Sequence, residues 1–324
     1  RPVAANENSV QVNLRMMESS IVTAAVSSFQ TATGETTFPV SWTAFDSIPP
    51  GNCAWLILVD NSNPARQRTV EACASEVRTF LRQRPKSDSV MIATLSRDLT
   101  VLAPFDAKPL QLEAALERIK AEGDAAFTTL IFQNAKYALT DHLAGRPEAR
   151  KCVVLLSDGK DETPGGPLRV TERRNEFITA ATKLGIPVHT FGFAERADEG
   201  NYFADLKELS AQTDGLHAAA VVATRQLPPD TWDQLIGVMH SGGTATLDLP
   251  AGSWQGPLKL TMNCSDGRTA ELVIPQESLP LASPKPSPHA MQAERNSKAP
   301  AWLGWTVGSL ALLIWFTMKK RPSN

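Results

Sequence analysis

The middle of the chain alternates uniformly apolar runs with stretches whose apolar residues recur at helical spacing. Residues 54–59 and 152–156 are apolar at every position, which is typical of strands buried on both faces. Each run is followed by helical patterns, the first of which begins near Val70. This alternation predicts a doubly wound, mostly parallel α/β sheet over residues 54–240.

Both ends of the chain alternate apolar and polar residues with a period of two. Val10 to Met16 and Phe38 to Ala44 show this pattern before the α/β region, and residues 244–249, 258–262 and 270–274 show it afterwards. A few strands at either end do not easily form stable sheets alone. We therefore expect one small β-sandwich built from both ends, with two unrelated β extensions as the alternative.

The composition changes again toward the carboxyl end. Residues 276–298 are rich in Pro, Ser, Lys and Glu, which is typical of a solvated linker. Residues 299–318 contain no charged side chain, and that length is enough to cross a bilayer as a helix. Three basic residues follow directly, so the positive-inside rule places the tail in the cytosol. The pattern predicts a single-pass membrane anchor.

These patterns divide the chain into six parts. We expect sandwich strands in residues 1–53, the α/β domain in 54–240, further sandwich strands in 241–275, the linker in 276–298, the transmembrane helix in 299–318 and the cytosolic tail in 319–324. Because the sequence begins at Arg1 and not at Met, we interpret it as a mature chain whose signal peptide has been removed. Anchor and signal peptide together predict that the bulk of the protein is extracytoplasmic, and by themselves they also allow a eukaryotic type I surface protein.

Charge and cysteine content restrict the function further. The formal net charge is −2, so no basic surplus exists to neutralise phosphates, and nucleic acid is excluded as a partner. Four cysteines fit an oxidising compartment, and either a Cys53–Cys152 or a Cys53–Cys264 bridge is compatible with the strand pattern. Cys73 falls on an apolar helix face and is expected to be a small core residue.

Acidic residues and hydroxyls follow the two apolar strands. The first strand ends in Asp60-Asn-Ser62, and the second ends in Ser157-Asp158-Gly159. Because the carboxyl ends of parallel strands meet at one edge of a sheet, both carboxylates are expected there. Such oxygen donors suit a hard divalent cation. The same residues would also serve to cap helices and fix loops.

Four segments in this order resemble the von Willebrand factor A domain family over about residues 54–239. They are Ile57-Leu-Val-Asp60-Asn-Ser62, Thr128-Thr-Leu130, Leu155-Leu-Ser-Asp158-Gly159 and Leu184-Gly-Ile-Pro-Val-His-Thr-Phe-Gly-Phe193. The resemblance implies a metal-ion-dependent adhesion site on top of the sheet. Its motif carries over to Asp60, Ser62, either Thr128 or Thr129, and Asp158, with Mg²⁺, Mn²⁺ or Ca²⁺ as the bound ion.

The sequence departs from the family motif at two places, so the site is a degenerate copy. Pro64 stands where the motif has a third hydroxyl residue, and Ala125-Ala-Phe127 replaces a glycine-rich lead before the threonines. Water could fill the missing coordination position. Alternatively the site has lost its ion, and the remaining polar residues act only as caps; Pro64 itself suits the first turn of a helix.

Charged residues beside the motif allow two interpretations each. Arg66 and Arg68 would either attract an acidic partner or lie on a solvated helix face. The run Lys160-Asp-Glu162 would either extend an acidic rim or be solvated. The sequence has no Gly-x-Ser-x-Gly elbow, Walker loop or Cys-x-x-Cys pair, and we expect no enzymatic activity.

The function expected from these features is a membrane-anchored, extracytoplasmic protein-binding module for adhesion or assembly. The resemblance suggests a bacterial cell envelope, with the bulk of the protein in the periplasm or at the cell surface. The resemblance implies that a protein partner supplies an acidic side chain to the top of the sheet, where it completes the coordination of Mg²⁺. The alternative is a metal-free structural scaffold subunit of a membrane complex. A hydrolase is a third hypothesis, for which the sequence shows no nucleophile–base set.

Overall fold

The computed structural model describes residues 2–6, 9–14, 26–33, 36–47, 52–122, 129–248, 257–264, 267 and 269–274. All of them belong to one compact unit, Arg1–Leu279. The predicted linker, transmembrane helix and tail lie outside the described residues. Within those residues, no helix combines the length and the apolar character needed to cross a membrane.

Strands and helices follow the alternation seen in the sequence. The strands are β1 Pro2–Asn6, β2 Ser9–Leu14, β3 Val26–Thr33, β4 Thr36–Phe38, β5 Val40–Ala44, β6 Cys53–Asp60, β7 Ser89–Leu95, β8 Leu99–Ala103, β9 Arg150–Ser157, β10 Val188–Gly192, β11 His217–Ala219, β12 Gly243–Asp248, β13 Leu258–Cys264 and β14 Thr269–Ile274. The α-helices are α1 Gln67–Gln83, α2 Pro109–Glu117, α3 Ile131–Ala138, α4 Pro167–Leu184, α5 Phe203–Gln212 and α6 Thr231–His240. Short 3₁₀-helices span Phe45–Ser47, Pro64–Arg66 and Ala197–Tyr202, and a π-helical turn, Leu139–Leu143, extends α3.

The central sheet has the strand order β11-β10-β9-β6-β7-β8. Its neighbours pair in parallel except for β7 and β8. Strand β6 is buried along its whole length. Its residues alternate between two hydrophobic clusters, one shared with α1, α2 and α6 and the other with α3, α4 and α5. The predicted α/β fold with a mostly parallel sheet is confirmed.

The strand order creates a topological switch point between β6 and β9. From β6 the chain continues to β7 on one side, and it later returns to β9 on the other side of β6. In open parallel sheets, ligands bind in the crevice outside the carboxyl ends of the strands at such a point. Asp60 and Ser157 end these two neighbouring strands.

Strands from both ends of the chain pair with each other. They form two four-stranded sheets, ordered β1-β2-β12-β5 and β14-β13-β3-β4. Ala245 and Leu247 of the first sheet form a buried cluster with Leu258, Leu260 and Ile274 of the second. The two sheets therefore pack face to face, as in a sandwich. Met16, the last residue of the alternating pattern at the amino end, lies outside the described residues.

The cysteines differ from the sequence-based expectation. Cys53, Cys73 and Cys152 are buried free thiols, so Cys53 is bridged neither to Cys152 nor to Cys264. Cys152 lies opposite Trp55 in the β6–β9 register, and Cys53 is its diagonal neighbour. Burial and a hydrogen bond with Cys152 raise the pKa of the Cys53 thiol.

Candidate functional site

Asp60 is the centre of a buried polar cluster at the carboxyl edge of β6. Its carboxylate is fully buried. Oδ1 accepts hydrogen bonds from the backbone N and the hydroxyl of Ser62, at 3.1 and 2.6 Å. Oδ2 accepts one from the Ser157 hydroxyl at 2.9 Å. Asp60 therefore fixes the loop that follows it and ties β6 to the neighbouring strand β9.

A tight turn leads from this loop into α1. Asn63 has a positive φ of 68°, and its side chain accepts a hydrogen bond from the backbone N of Ala65 at 3.0 Å. Pro64 opens the 3₁₀ turn that ends at Arg66, since its fixed φ suits a first helical turn. The turn is compact enough for the Arg66 side chain to reach back toward Asp60, six residues earlier.

Arg66 is buried between the two carboxylates that the sequence singled out. Its Nη1 donates to Oδ2 of Asp60 at 2.9 Å, and its Nε lies 3.3 Å from Oδ2 of Asp158. Nη1 also contacts the carbonyl oxygen of Ser62, and Nη2 that of Phe193, both at 3.5 Å. Only 4% of Arg66 is exposed. The expectation that this arginine faces solvent or a partner is wrong, because both carboxylates pair with it inside the protein.

The charges of the cluster determine the protonation of Arg66. Burial alone would lower the pKa of this guanidinium, but the negative charges of Asp60 and Asp158 outweigh burial and raise the pKa above the ordinary value for arginine. The side chain therefore stays positively charged. Two carboxylates and one guanidinium leave the cluster with a formal charge of −1.

The second carboxylate is held by the loop after β9. Oδ1 of Asp158 accepts a hydrogen bond from the backbone N of Lys160 at 2.9 Å. The backbone N of Gly159 donates to the Ser157 hydroxyl, also at 2.9 Å. Gly159 has a φ of 81°, and a Cβ at this position would lie 2.5 Å from the carbonyl oxygen of Tyr202. The loop is thus packed directly against the 3₁₀ turn that precedes α5.

A second polar group lies near Arg66, on the side of α1 that carries Thr69. Arg225 Nη2 donates to Glu195 Oε1 at 2.7 Å, and the Thr69 hydroxyl donates to the other carboxylate oxygen. Burial raises the pKa of the Glu195 carboxyl, but the hydrogen bonds from Thr69 and Arg225, together with the charges of Arg225 and Arg66, lower it overall. The sequence patterns did not single out Thr69, Glu195 or Arg225.

The remaining predicted site residues have different positions. Thr128 lies outside the described residues, whereas Thr129 is buried, and its carbonyl oxygen accepts a hydrogen bond from the backbone N of Glu162 at 2.8 Å. Asp161 accepts a hydrogen bond from the backbone N of Phe132 at 3.0 Å, so its carboxylate caps the start of α3 and does not form part of an acidic rim. Arg68 is exposed on α1.

The donor set does not fit a divalent cation in this arrangement. The guanidinium of Arg66 takes the place between Asp60 and Asp158 that a metal ion would need. The hydroxyls of Ser62 and Ser157 both donate to Asp60. Within the part of the chain that the structure describes, no group of three or more His, Cys, Asp or Glu side chains could hold a metal ion.

One feature of the sequence could have identified Arg66 as a residue of this site. A cation in the first turn of a helix is unfavourable, because the amino end of the helix carries a partial positive charge. Arg66 immediately precedes α1, whose first turn has no acidic residue. A basic residue at such a place indicates an anionic partner elsewhere, and the two aspartates at the same sheet edge supply it.

Comparison with known proteins assigns a family to this fold. The family model for the von Willebrand factor type A domain matches residues 56–229, more than half of the chain. Comparison with curated protein sequences gives no match.

The solved structures to which this chain is similar are distant from it in sequence. A von Willebrand factor type A protein from Catenulispora acidiphila has a TM-score of 0.47 and 13% identity, covering 69% of this chain and 66% of that chain. An aerotolerance-related membrane protein from Bacteroides fragilis has a TM-score of 0.43 and 16% identity, covering 57% of this chain and 98% of that chain.

Proposed function

The chain belongs to the von Willebrand factor type A family, and from this we propose that it is a membrane-anchored, extracytoplasmic protein-binding module. Its partner would dock on the carboxyl edge of the central sheet. The anchor is the apolar segment 299–318 of the sequence, and the linker before it would hold the folded part away from the bilayer.

The observation that carries this proposal is the buried cluster beneath the loops at the switch point. Asp60, Arg66 and Asp158 join the loops after β6 and β9, and Arg66 also reaches the carbonyl oxygen of Phe193 after β10. Loops held on a rigid scaffold lose little conformational entropy when a partner binds. A preorganised loop surface of this kind suits protein recognition.

The exposed residues above the cluster have the character of an interface. Lys160 forms an ion pair with Glu162 at 2.8 Å, and its side chain is 48% exposed. Tyr202 is 43% exposed, and its backbone packs against Gly159, the residue directly before Lys160. We call Lys160, Glu162 and Tyr202 the top surface. Tyrosine is among the residue types enriched in protein–protein interfaces, and polar side chains such as those of Lys160 and Glu162 suit the solvent-accessible rim of an interface.

The polar groups of the site support binding and not catalysis. The Ser157 hydroxyl donates to a carboxylate that is already paired with Arg66, so it has no general base to activate it. The Nδ1 atom of His189 accepts a hydrogen bond from the backbone N of Leu216 at 2.9 Å, so this ring nitrogen has a structural role. A groove of about 450 Å³ lies between α1 and residues 224–232. Its lining contains neither Asp60, Arg66 nor Asp158, so this groove is not part of the site.

A second candidate function is that of a metal-free scaffold subunit, which assembles through the sandwich. Strand β14 ends its sheet, and Leu272 and Val273 on this strand are 39% and 58% exposed. An edge strand with exposed apolar side chains is a template for pairing with another chain. This candidate places the partner at β14, whereas the main proposal places it at the top surface.

Site-specific photo-crosslinking in cells of the source organism distinguishes these functions. A photoreactive residue replaces Lys160 at the top surface, Val273 on β14, or Lys86, an exposed lysine in the loop before β7 at the opposite edge of the sheet. The main proposal predicts a crosslink to a second protein from position 160 and none from position 86. A crosslink from position 273 alone would favour the scaffold, and equal crosslinking from positions 160 and 86 would contradict both.

A further inference from the structure

We propose that the guanidinium of Arg66 is the resident cation of this site, in place of the divalent ion that the family motif implies. The buried cluster is then complete within one chain, and it is held together without a metal. This inference concerns the cation of the site and does not depend on the identity, or the existence, of a protein partner.

The contacts of Arg66 support this assignment. Its guanidinium bridges Asp60 and Asp158 with ion-pair distances of 2.9 and 3.3 Å. The side chains of Arg66, Asp60 and Asp158 are 5%, 0% and 10% exposed, so all three charges are removed from water. Buried carboxylates require a counter-charge and hydrogen-bond donors, and a guanidinium supplies both. The bridge joins the ends of β6 and β9, where the motif would place its metal.

The guanidinium is also held from its other side. The carbonyl oxygens of Ser62 and Phe193 lie 3.5 Å from its terminal nitrogens, so four groups from three loops surround it. A divalent cation entering between the carboxylates of Asp60 and Asp158 would have to displace the guanidinium of Arg66, or it would be repelled by the positive charge of that guanidinium at close range. Both costs oppose metal binding, and the wild-type site should therefore reject divalent cations at physiological concentrations.

The motif substitution Pro64 and the side chain of Arg66 are linked through the same turn. Pro64, which stands where the motif has a hydroxyl, begins the 3₁₀ turn, and Arg66 ends it. A hydroxyl at position 64 would add a ligand for a metal, whereas proline adds none but shapes the turn that directs Arg66 inward. Pro64, which removes a metal ligand, therefore also helps to position Arg66, whose charge replaces that of the metal ion.

Removal of the arginine should uncover a latent metal site. Without Arg66, the buried carboxylates of Asp60 and Asp158 and the hydroxyl of Ser62 remain at one sheet edge, and the positive charge of the guanidinium is gone. Carboxylates and a hydroxyl are oxygen ligands that suit Mg²⁺ and Mn²⁺. A small residue at position 66 leaves room for the ion and for water, and the site should then bind a divalent cation.

The test compares Mn²⁺ binding and thermal unfolding of the whole chain, purified in detergent and stripped of metal. The variants are Arg66→Ala, Arg66→Ala with Asp158→Asn, and the control Arg84→Ala. Arg84 is also a buried arginine, and it donates to backbone carbonyls, including that of Asp88, before β7. Its removal also costs stability but uncovers no pair of carboxylates at the switch point.

The wild type should show no Mn²⁺ site and the same unfolding temperature in EDTA and in millimolar Mn²⁺. Arg66→Ala should bind one Mn²⁺ at least tenfold more tightly than any residual binding by the wild type, and Mn²⁺ should raise its unfolding temperature. Neither Arg84→Ala nor the variant that also carries Asp158→Asn should gain this affinity.

Two results would overturn the proposal. One is a folded Arg66→Ala variant that gains no affinity for Mn²⁺. The other is a wild-type chain that binds one Mn²⁺, or loses stability in EDTA, in a manner that Asp158→Asn abolishes. The wild-type measurements decide the matter even if Arg66→Ala does not fold, and Arg66→Gln provides a second variant that lacks the charge.

Discussion

Replacing Arg66 by methionine should destabilise the folded protein far more than the same replacement at a surface arginine. Methionine keeps much of the side-chain volume but removes the charge and all donors. The variant therefore leaves Asp60 and Asp158 buried and without the positive charge that Arg66 supplies. We choose Arg78→Met as the control, since Arg78 lies on the adjoining helix α1 and also contacts two carboxylates, those of Glu113 and Glu117.

The structure sets the expected magnitudes. Two unit charges about 3 Å apart attract by roughly 5 kcal/mol at an effective dielectric constant of about 20, and desolvation offsets much of this gain. Removing one partner of a buried pair costs about 3–5 kcal/mol, because the remaining charge stays buried. The partners of Arg78 are 50% and 75% exposed, so that control should cost only about 0–1 kcal/mol.

Urea and thermal denaturation in EDTA, followed by circular dichroism, measure both variants. For a domain of about 150–250 residues, each kcal/mol shifts the unfolding temperature by about 2–4 °C, so Arg66→Met should unfold about 6–20 °C below the wild type. Adding Asp158→Asn to Arg66→Met should cost less than the sum of the two single changes, because one of the two buried negative charges is then removed. An Arg66→Met loss below about 1 kcal/mol, or one no larger than that of Arg78→Met, would refute the reasoning.

Three other predictions follow from the structure. Gly159→Ala should destabilise the protein by about 1–3 kcal/mol in urea denaturation, because the backbone at this position has a positive φ and a Cβ would meet the Tyr202 carbonyl oxygen. The control Gly145→Ala should be neutral, since no atom lies within 4 Å of a Cβ at that position. Burial and the charge of Lys207 lower the pKa of His217 from 6.5 to about 4. Between these two pH values the unfolded chain binds a proton that the folded chain does not, so the free energy of unfolding should fall as the pH is lowered from 6.5 to about 4. His217→Gln should make the free energy of unfolding depend less on pH in this range. The three buried thiols should resist alkylation at pH 8 in the native state and react only in denaturant, and rapid native labelling would contradict their burial.

Much of the fold could be predicted from the sequence because its elements depend on local patterns. The run 54–59 is apolar throughout, and the structure buries β6 completely. The alternation near the amino end predicts a strand, and β2 spans Ser9–Leu14. The pairing of Asp60 and Asp158 at one edge followed from the parallel sheet, since the carboxyl ends of neighbouring parallel strands lie side by side.

The content of the site could not be predicted in the same way. Arg66 reaches Asp60 only because Asn63 takes a positive φ and Pro64 starts a 3₁₀ turn, and neither feature follows from hydrophobic periodicity. Hydrophobic periodicity does not reveal the direction in which a long flexible side chain points. The ion pair across β6 and β9 depends on tertiary geometry, and so does the free state of the Cys53 and Cys152 thiols.

The most direct test of the arginine-filled site is anomalous diffraction from crystals of the wild-type protein grown in millimolar Mn²⁺, with data collected at the manganese absorption edge. We predict guanidinium density joining Asp60 and Asp158 and no anomalous peak between them. A manganese peak bound to these two carboxylates, with Arg66 displaced outward, would contradict the account.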